Sequence, residues 1–316
     1  MANTNANLNR AKKVKNDEFY TRYEDIEKEL RHYVDFFKGK VIYCPCDNPY
    51  YSNFVRWFVD NFNEIGIKEL IATCYTDRKY KVSFMDDILG KQEPQNPVLE
   101  RAYKFVVSSV EQADTFEQVL EKNKPTELKG SGDFRSDECV EIMRTADIIV
   151  TNPPFSIFRD FFDLLVREDK DFLVMGSYGA TSYLGIFPYL RHGIVGGGYT
   201  NGAKRFNTLN GNRAGSVNVF WFTTIWDKES PCNIQLTKPF SAENYPKYQN
   251  YDAIEVKSLS DIPYDYQGIM GVPLTIFGIR NITEMFDFIG VRFDLRIDGK
   301  KKYARILIKR RNNNVT

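Results

Sequence analysis

Histidine is scarce in this chain of 316 residues, with only His32 and His192 present. The five cysteines, at 44, 46, 74, 139 and 232, include one close pair, Cys44-Pro45-Cys46, and no second pair near it. That inventory is poor material for a zinc site, which draws on clustered Cys and His ligands. An odd number of thiols, three of them in apolar strand-like runs, argues against a disulfide framework and for a reducing compartment, so a cytoplasmic location is expected. No apolar run approaches the ~20 residues that a membrane-spanning helix needs, and the first residues lack the apolar core of a signal peptide. Net charge is missing too: 43 Lys and Arg stand against 42 Asp and Glu, for a formal charge of +1. The total therefore announces no anionic partner, and only local clustering carries information. Gly196-Gly197-Gly198 lacks the Lys-Ser/Thr of a phosphate-binding P-loop and is expected to form a hairpin or loop.

What is present is ordinary in bulk and uneven in detail. Hydrophobic residues make up 42% and charged residues 27%, enough for one large α/β domain or a catalytic domain with an appendage. Aromatic residues reach 15%, which suits either a core or stacking faces for bases. Residues 1–16 are polar, with a basic stretch from Arg10 to Lys15, and are expected to form a flexible arm. Ile26, Leu30, Tyr33, Val34 and Phe37 fall at helical intervals over 24–37. Lys40 to Cys44 reads as a buried strand ending at Pro45-Cys46-Asp47-Asn48-Pro49, and Ser52 to Phe62 as the helix after it. Further strands are expected at Leu70–Tyr75, Ala102–Ser109, Asp147–Val150, Phe172–Met175 and Ser216–Ile225, with helices at Ser136–Met143 and Phe158–Val166. Strand–helix alternation between 40 and 176 predicts a mainly parallel sheet. After Asp227 the pattern turns irregular and proline-rich, which marks a change of domain.

Asn152-Pro153-Pro154-Phe155 is the most informative stretch, because it follows a strand at the end where open α/β sheets place their ligands. Two prolines stiffen the backbone and remove two N–H donors, leaving carbonyl acceptors in fixed positions. An Asn oxygen beside such a carbonyl makes a pair of acceptors for an NH2 group. Adenine offers that group, and accepting both of its hydrogens raises electron density on a poorly nucleophilic nitrogen. Phe155 is placed to stack on a base turned out of a duplex. The alternative is an ordinary turn after a strand, which Asn-Pro often marks.

With these residues in view, the chain resembles the EcoRI modification methylase family of adenine-specific DNA methyltransferases. Asn16-Asp17-Glu18-Phe19-Tyr20-Thr21 is similar to the family's N-terminal cofactor motif. Val41 to Pro49 with Ser52-Asn53-Phe54 is similar to its first strand and turn, and Gly130-Ser131-Gly132-Asp133-Phe134-Arg135-Ser136-Asp137-Glu138 followed by the Asn-Pro-Pro-Phe box to its most specific signature. The stretch from Ile269-Met270-Gly271-Val272-Pro273 to Arg305-Ile306-Leu307-Ile308 also matches, in a γ-type order with the cofactor motif first and recognition last. The resemblance implies a Rossmann-like, S-adenosylmethionine-dependent α/β fold over residues 17–228 and a C-terminal target-recognition region over 229–316. It assigns catalysis to Asn152, Pro153, Pro154 and Phe155, and cofactor binding to Phe19, Tyr20, Thr21, Asp47, Asp77, Asp133 and Phe134. Asp133 would bind the cofactor's adenine amino group and Phe134 would pack on that adenine. Asp77 stands in for the acid that normally holds the ribose. The first turn departs from the family fold in carrying no glycine. Duplex DNA is the implied partner of a monomeric enzyme, with a companion restriction endonuclease and GAATTC as the first site to try.

Lys300, Lys301, Lys302, Arg305, Lys309, Arg310 and Arg311 form a basic cluster near the end, expected to contact phosphates or simply to be a solvated surface. In a strand over 303–309, Arg305, Leu307 and Lys309 would share one face and Ile306 and Ile308 would point inward. Three other readings have a sequence basis. The same box serves RNA adenines and protein glutamines in related enzymes. Pro45-Cys46 resembles the nucleophile of a cytosine-C5 enzyme, although it sits where the cofactor belongs. A non-catalytic DNA-binding protein of this fold would be expected to have lost the box.

Overall fold

The computed structural model describes residues 20–50, 52–75, 102–207, 216–232 and 234–311. The arm 1–16, Phe19 and Asp77 lie outside these residues, and Tyr20 is described as backbone alone. The chain divides into two compact units, one comprising residues up to 176 with 199–225, the other 177–198 with 226 onward. Among the described residues no helix is long and apolar enough to cross a membrane.

The first unit is a mixed α/β layer structure. Its strands are β1 (Tyr20–Thr21), β2 (Val41–Cys44), β3 (Glu69–Thr73), β4 (Tyr103–Val107), β5 (Thr126–Glu127), β6 (Ile148–Thr151), β7 (Asp171–Ser177), β8 (Gly202–Lys204), β9 (Phe206–Asn207) and β10 (Val217–Thr223). The central sheet runs β5-β4-β3-β2-β6-β7-β10, and β8 pairs antiparallel with β10. β2 pairs in parallel with both β3 and β6, and β6 with β7, whereas β4 is antiparallel to its neighbours. The apolar runs behave as a parallel sheet requires: every residue of β2 and of β6 is buried. Chain order moves outward from β2 toward β3 on one side and from β6 toward β7 on the other. The crevice between the carboxyl ends of β2 and β6 is thus the topological switch point.

The principal helices are α1 (Tyr23–Leu30), α2 (Asn53–Asp60), α3 (Phe116–Lys122), α4 (Asp137–Thr145) and α5 (Phe158–Arg167). The helix expected over 24–37 is interrupted by a 3-10 turn at Arg31–Tyr33, yet Ile26, Leu30, Tyr33 and Phe37 are all buried as the spacing predicts. α2 begins at Ser52, whose hydroxyl accepts from the Phe54 and Val55 N–H groups, a cap worth about 1 kcal/mol. α5 buries Phe158, Phe161, Phe162, Leu164 and Leu165, at about 1.5–3 kcal/mol for each large side chain removed from water. Gly176 in β7 makes room for that helix: a Cβ there would lie 2.7 Å from the Phe158 ring.

The second unit holds a four-stranded sheet in the order β11 (Ile254–Glu255), β12 (Met270–Pro273), β16 (Arg305–Arg310), β13 (Phe286–Arg292). β16 is central and antiparallel to both neighbours, with a register shift between Phe288 and Gly290. The alternation expected over 303–309 therefore fails at Leu307. Ile306, Leu307 and Ile308 are all buried, because Tyr248, Ala253, Leu295 and Ile297 cover the Leu307 side. A separate hairpin joins β14 (Arg296–Ile297) to β15 (Lys300–Lys301). Gly196–Gly197 forms a two-residue strand in this unit.

Candidate active site at the strand ends

Three turns of the first unit converge on one cavity of about 270 Å³: the turn after β2, Cys74-Tyr75 after β3, and Asn152-Pro153-Pro154 after β6. Thr21, the start of α2 at Ser52–Phe54, the loop Gly132–Arg135 and Ile157 form the rest of the wall. Asp47 ties these turns together. Its N–H donates to the Thr73 carbonyl at 3.0 Å. Its carboxylate accepts from the Ser52 hydroxyl and the Thr151 hydroxyl, both at 2.6 Å. Only 7% exposed, it is pushed by burial from an ordinary 3.8 up to about 6, and the two hydroxyl donors limit the rise. Asp47 thus lines the cavity and also braces β2, β6 and the start of α2.

The amide of Asn152 is oriented by Thr21: Nδ2 donates to Thr21 Oγ1 at 3.3 Å, which makes Oδ1 the acceptor end. Thr21 is itself buried and held by Asn53, whose Nδ2 donates to the Thr21 carbonyl at 2.8 Å. The Pro154 carbonyl accepts from the Ile157 N–H at 3.1 Å and starts a 3-10 turn over Phe155–Ile157. Of the two proline carbonyls, Pro153's is thus the one adjacent to Asn152 and not used in that turn. Phe155 stands outside the cavity wall, half-buried, edge-on to Phe206 with centroids 6.5 Å apart.

The expected cofactor residues are differently engaged. Gly132 has φ +74°, and a Cβ would meet the Cys74 carbonyl oxygen at 2.1 Å, so glycine alone lets this loop lie against the end of β3. Asp133 lines the cavity, with both carboxylate oxygens held by the Arg135 guanidinium at 3.0 and 2.8 Å, and that pairing holds its carboxyl below the usual range. Arg135 also bonds Asp160 at 2.9 Å and lies over the Phe134 ring. Phe134 is buried, edge-on to Phe161 at 5.0 Å, and presents one part to the cavity. Reading the sequence for an acid after the second strand passed over Tyr75, which is 53% exposed and lines the cavity there. Asn48, Asn53, Arg135 and Ile157 also line it, and the signal for them was their place next to turns already singled out.

The basic cluster splits. Lys300 and Lys301 are exposed on the hairpin and Lys302 is half-buried beside it. Lys309 is exposed, and Arg311 pairs with Asp287 at 2.9 Å. Arg310 donates to the Tyr264 carbonyl. Arg305 is turned inward: its guanidinium, 12% exposed, pairs at 2.5 Å with Glu255, which is 2% exposed and also accepts from the Tyr248 hydroxyl. A cation so engaged is an internal counter-ion, because leaving Glu255 buried alone would cost several kcal/mol, on the order of 3–5.

The family described as adenine-specific methyltransferase EcoRI matches residues 7–313. The chain is 37% identical to the type II methyltransferase M.EcoRI of Escherichia coli, over 97% of each protein. It is 33% identical to the type II methyltransferase M.MgeORF184P of Mycoplasma genitalium over 96% of this chain and 98% of that protein. It is 31% identical to the type II methyltransferase M.MpnI of Mycoplasma pneumoniae, over 97% and 98%. No solved structure matches.

Proposed function

The chain belongs to the EcoRI family of adenine-specific methyltransferases, and from that premise we propose how its residues carry out methyl transfer to adenine N6 in DNA. The enzyme is a type II DNA adenine methyltransferase of a restriction–modification system. The observation that carries the residue assignment is the Asn152 amide, oriented by Thr21 at the switch point of the sheet.

Asn152 Oδ1 and the Pro153 carbonyl accept the two hydrogens of the adenine amino group. Charge that develops on the nitrogen as it attacks is stabilised by two acceptors already in place, which is where fixed dipoles contribute most. Pro154 holds the turn rigid through its bond with Ile157. Phe155, half-exposed, stacks on the extruded base.

The methyl donor is S-adenosylmethionine, which supplies an electrophilic methyl on a sulfonium sulfur. The cavity fits it chemically: Phe134, Ile157, Pro45 and Phe54 give an apolar wall for a base, and Asn48, Asn53, Asp47 and Asp133 give acceptors for hydroxyl, amino and cationic groups. Thr21 lines it directly; Phe19, Tyr20 and Asp77 are proposed partners on the strength of the family resemblance. In this reading Asp133 would hold the donor's adenine amino group, and Arg135, which now bonds both Asp133 and Asp160, would orient that carboxylate.

Recognition of the duplex is assigned to the second unit, with residues 229–316 at its centre, and Lys300, Lys301, Lys302 and Lys309 as phosphate contacts. Arg310 and Arg311 contribute charge from their paired positions, and Arg305 is reassigned to the interior. A companion endonuclease reading the same site, a monomeric enzyme and a cytoplasmic location complete the proposal. Sequencing methylated bases in DNA from cells that express the protein tests it. N6-methyladenine within one short motif is expected, and DNA without added N6-methyladenine would refute it.

A further inference from the structure

The hairpin of β14 and β15 is short, cationic and backed by buried side chains and hydrogen bonds. Asp298 and Gly299 at its tip have φ of 50° and 70°, the two positive values that a two-residue type I′ turn needs. Two-stranded ribbons are marginal alone, but this one is pinned from behind. Leu295 and Ile297 are buried beside Tyr248 and Leu307. Gln249 N–H donates to the Arg296 carbonyl at 2.9 Å, and its side-chain oxygen accepts from Gly299 N–H at 2.9 Å. Asn250 Oδ1 accepts from Arg296 N–H at 3.0 Å, and Asn250 Nδ2 donates to the Asp294 carbonyl at 2.9 Å.

The outward face is electrostatically unfinished. Arg296 stands directly opposite Lys301 in the register, a like-charged cross-strand pair that weakens a ribbon. The nearby carboxylate of Asp294 is bonded by Arg292, with both bonds at 2.8 Å, and Lys301 feels it only through space. Arg296 is exposed and makes no ion pair among the described residues. Such repulsion is relieved by an electronegative partner. The major groove of duplex DNA is wide enough for a two-stranded ribbon, and its guanine edges present the O6 and N7 acceptors that a forked guanidinium matches. Lysine ammonium groups, as point charges, suit phosphates better.

We propose that the Arg296–Lys301 hairpin enters the major groove of the substrate duplex and that Arg296 reads a guanine of the recognition site. Lys300 and Lys301 hold flanking phosphates. The inference rests on the DNA-methylating function above and goes beyond it by naming the residue that reads sequence.

The test begins with the motif that the parent enzyme methylates, found by sequencing. Duplex oligonucleotides carrying that motif and each single base-pair change are then compared for binding and methylation by the parent, Arg296→Lys and Arg296→Ala. Both variants are expected to lose about 5- to 150-fold discrimination at one G·C position and to keep it elsewhere. Arg296→Lys should retain the parent's non-target affinity and salt slope, since it keeps the charge and loses only the fork. Unchanged discrimination at every position in both variants would overturn the proposal. So would an equal loss for target and non-target DNA, which is the mark of a phosphate contact. A parent enzyme that leaves DNA unmethylated would instead overturn the function on which the proposal rests.

Discussion

Replacing Asp47 with Asn is expected to change how the stability of the first unit depends on pH. Asp47 is 7% exposed, and burial raises it from 3.8 to about 6 despite hydroxyl donors at 2.6 Å on each oxygen. Above about pH 6 the folded chain must keep ionised a buried carboxylate that the unfolded chain ionises in water. The gap between 3.8 and about 6 sets that cost on the order of 3 kcal/mol. Below about pH 4 both states hold the acid protonated and the cost vanishes. Between these limits the folded state binds more protons, so the contribution of Asp47 grows more unfavourable as pH rises. Asn keeps one acceptor for Ser52 or Thr151 and carries no such cost. Denaturant titrations at a series of pH values from about 4 to 7, followed through Trp57 and Trp221, both buried in the first unit, report the difference. The stability of Asp47→Asn relative to the parent should rise by on the order of 3 kcal/mol across that window and then level off. A difference that stays constant with pH, or falls, would refute the assignment of a raised, buried carboxylate.

Asn152→Ala should lower the methylation rate by about 10²–10³ and leave donor binding by calorimetry nearly unchanged; near-parental activity would remove Asn152 from its role. Phe155→Ala should weaken capture of the extruded base by about 1–3 kcal/mol, read with a fluorescent adenine analogue at the target position, and Phe155→Trp should be tolerated better. Changing Lys300, Lys301 and Lys302 together to Ala should weaken target and non-target DNA about equally and make the log-affinity against log-salt line shallower by about 0.9 for each phosphate no longer neutralised; an unchanged slope would leave those lysines as mere solvated surface.

The parallel sheet was legible because parallel strands are buried on both faces, so Val41–Cys44 and Ile148–Thr151 stand out as short apolar runs bounded by turn residues. The place of Asn152-Pro153-Pro154 at the end of a buried strand was legible for the same reason, and the structure puts these residues in the cavity wall. What escaped were relations over long separations. Arg305 reads as one base in a basic tail until Glu255, fifty positions earlier, is found beside it. Leu307 reads as outward-facing until the residues that cover it are known. Asp133 was singled out by its signature, but its pairing with Arg135 and the close approach of Gly132 to the Cys74 carbonyl are features that sequence alone does not show. Thr21 was singled out for the cofactor, whereas its bond to the Asn152 amide joins residues 131 positions apart.

The most direct measurement is the chemical identity of the product. Purified enzyme is incubated with duplex DNA and isotopically labelled S-adenosylmethionine, the DNA is digested to nucleosides, and the label is located by mass spectrometry. Label in N6-methyladenine, formed about 10²–10³ times more slowly with Asn152→Ala, is the predicted result. Label in a methylated cytosine, or N6-methyladenine formed equally well without Asn152, would contradict the assignment.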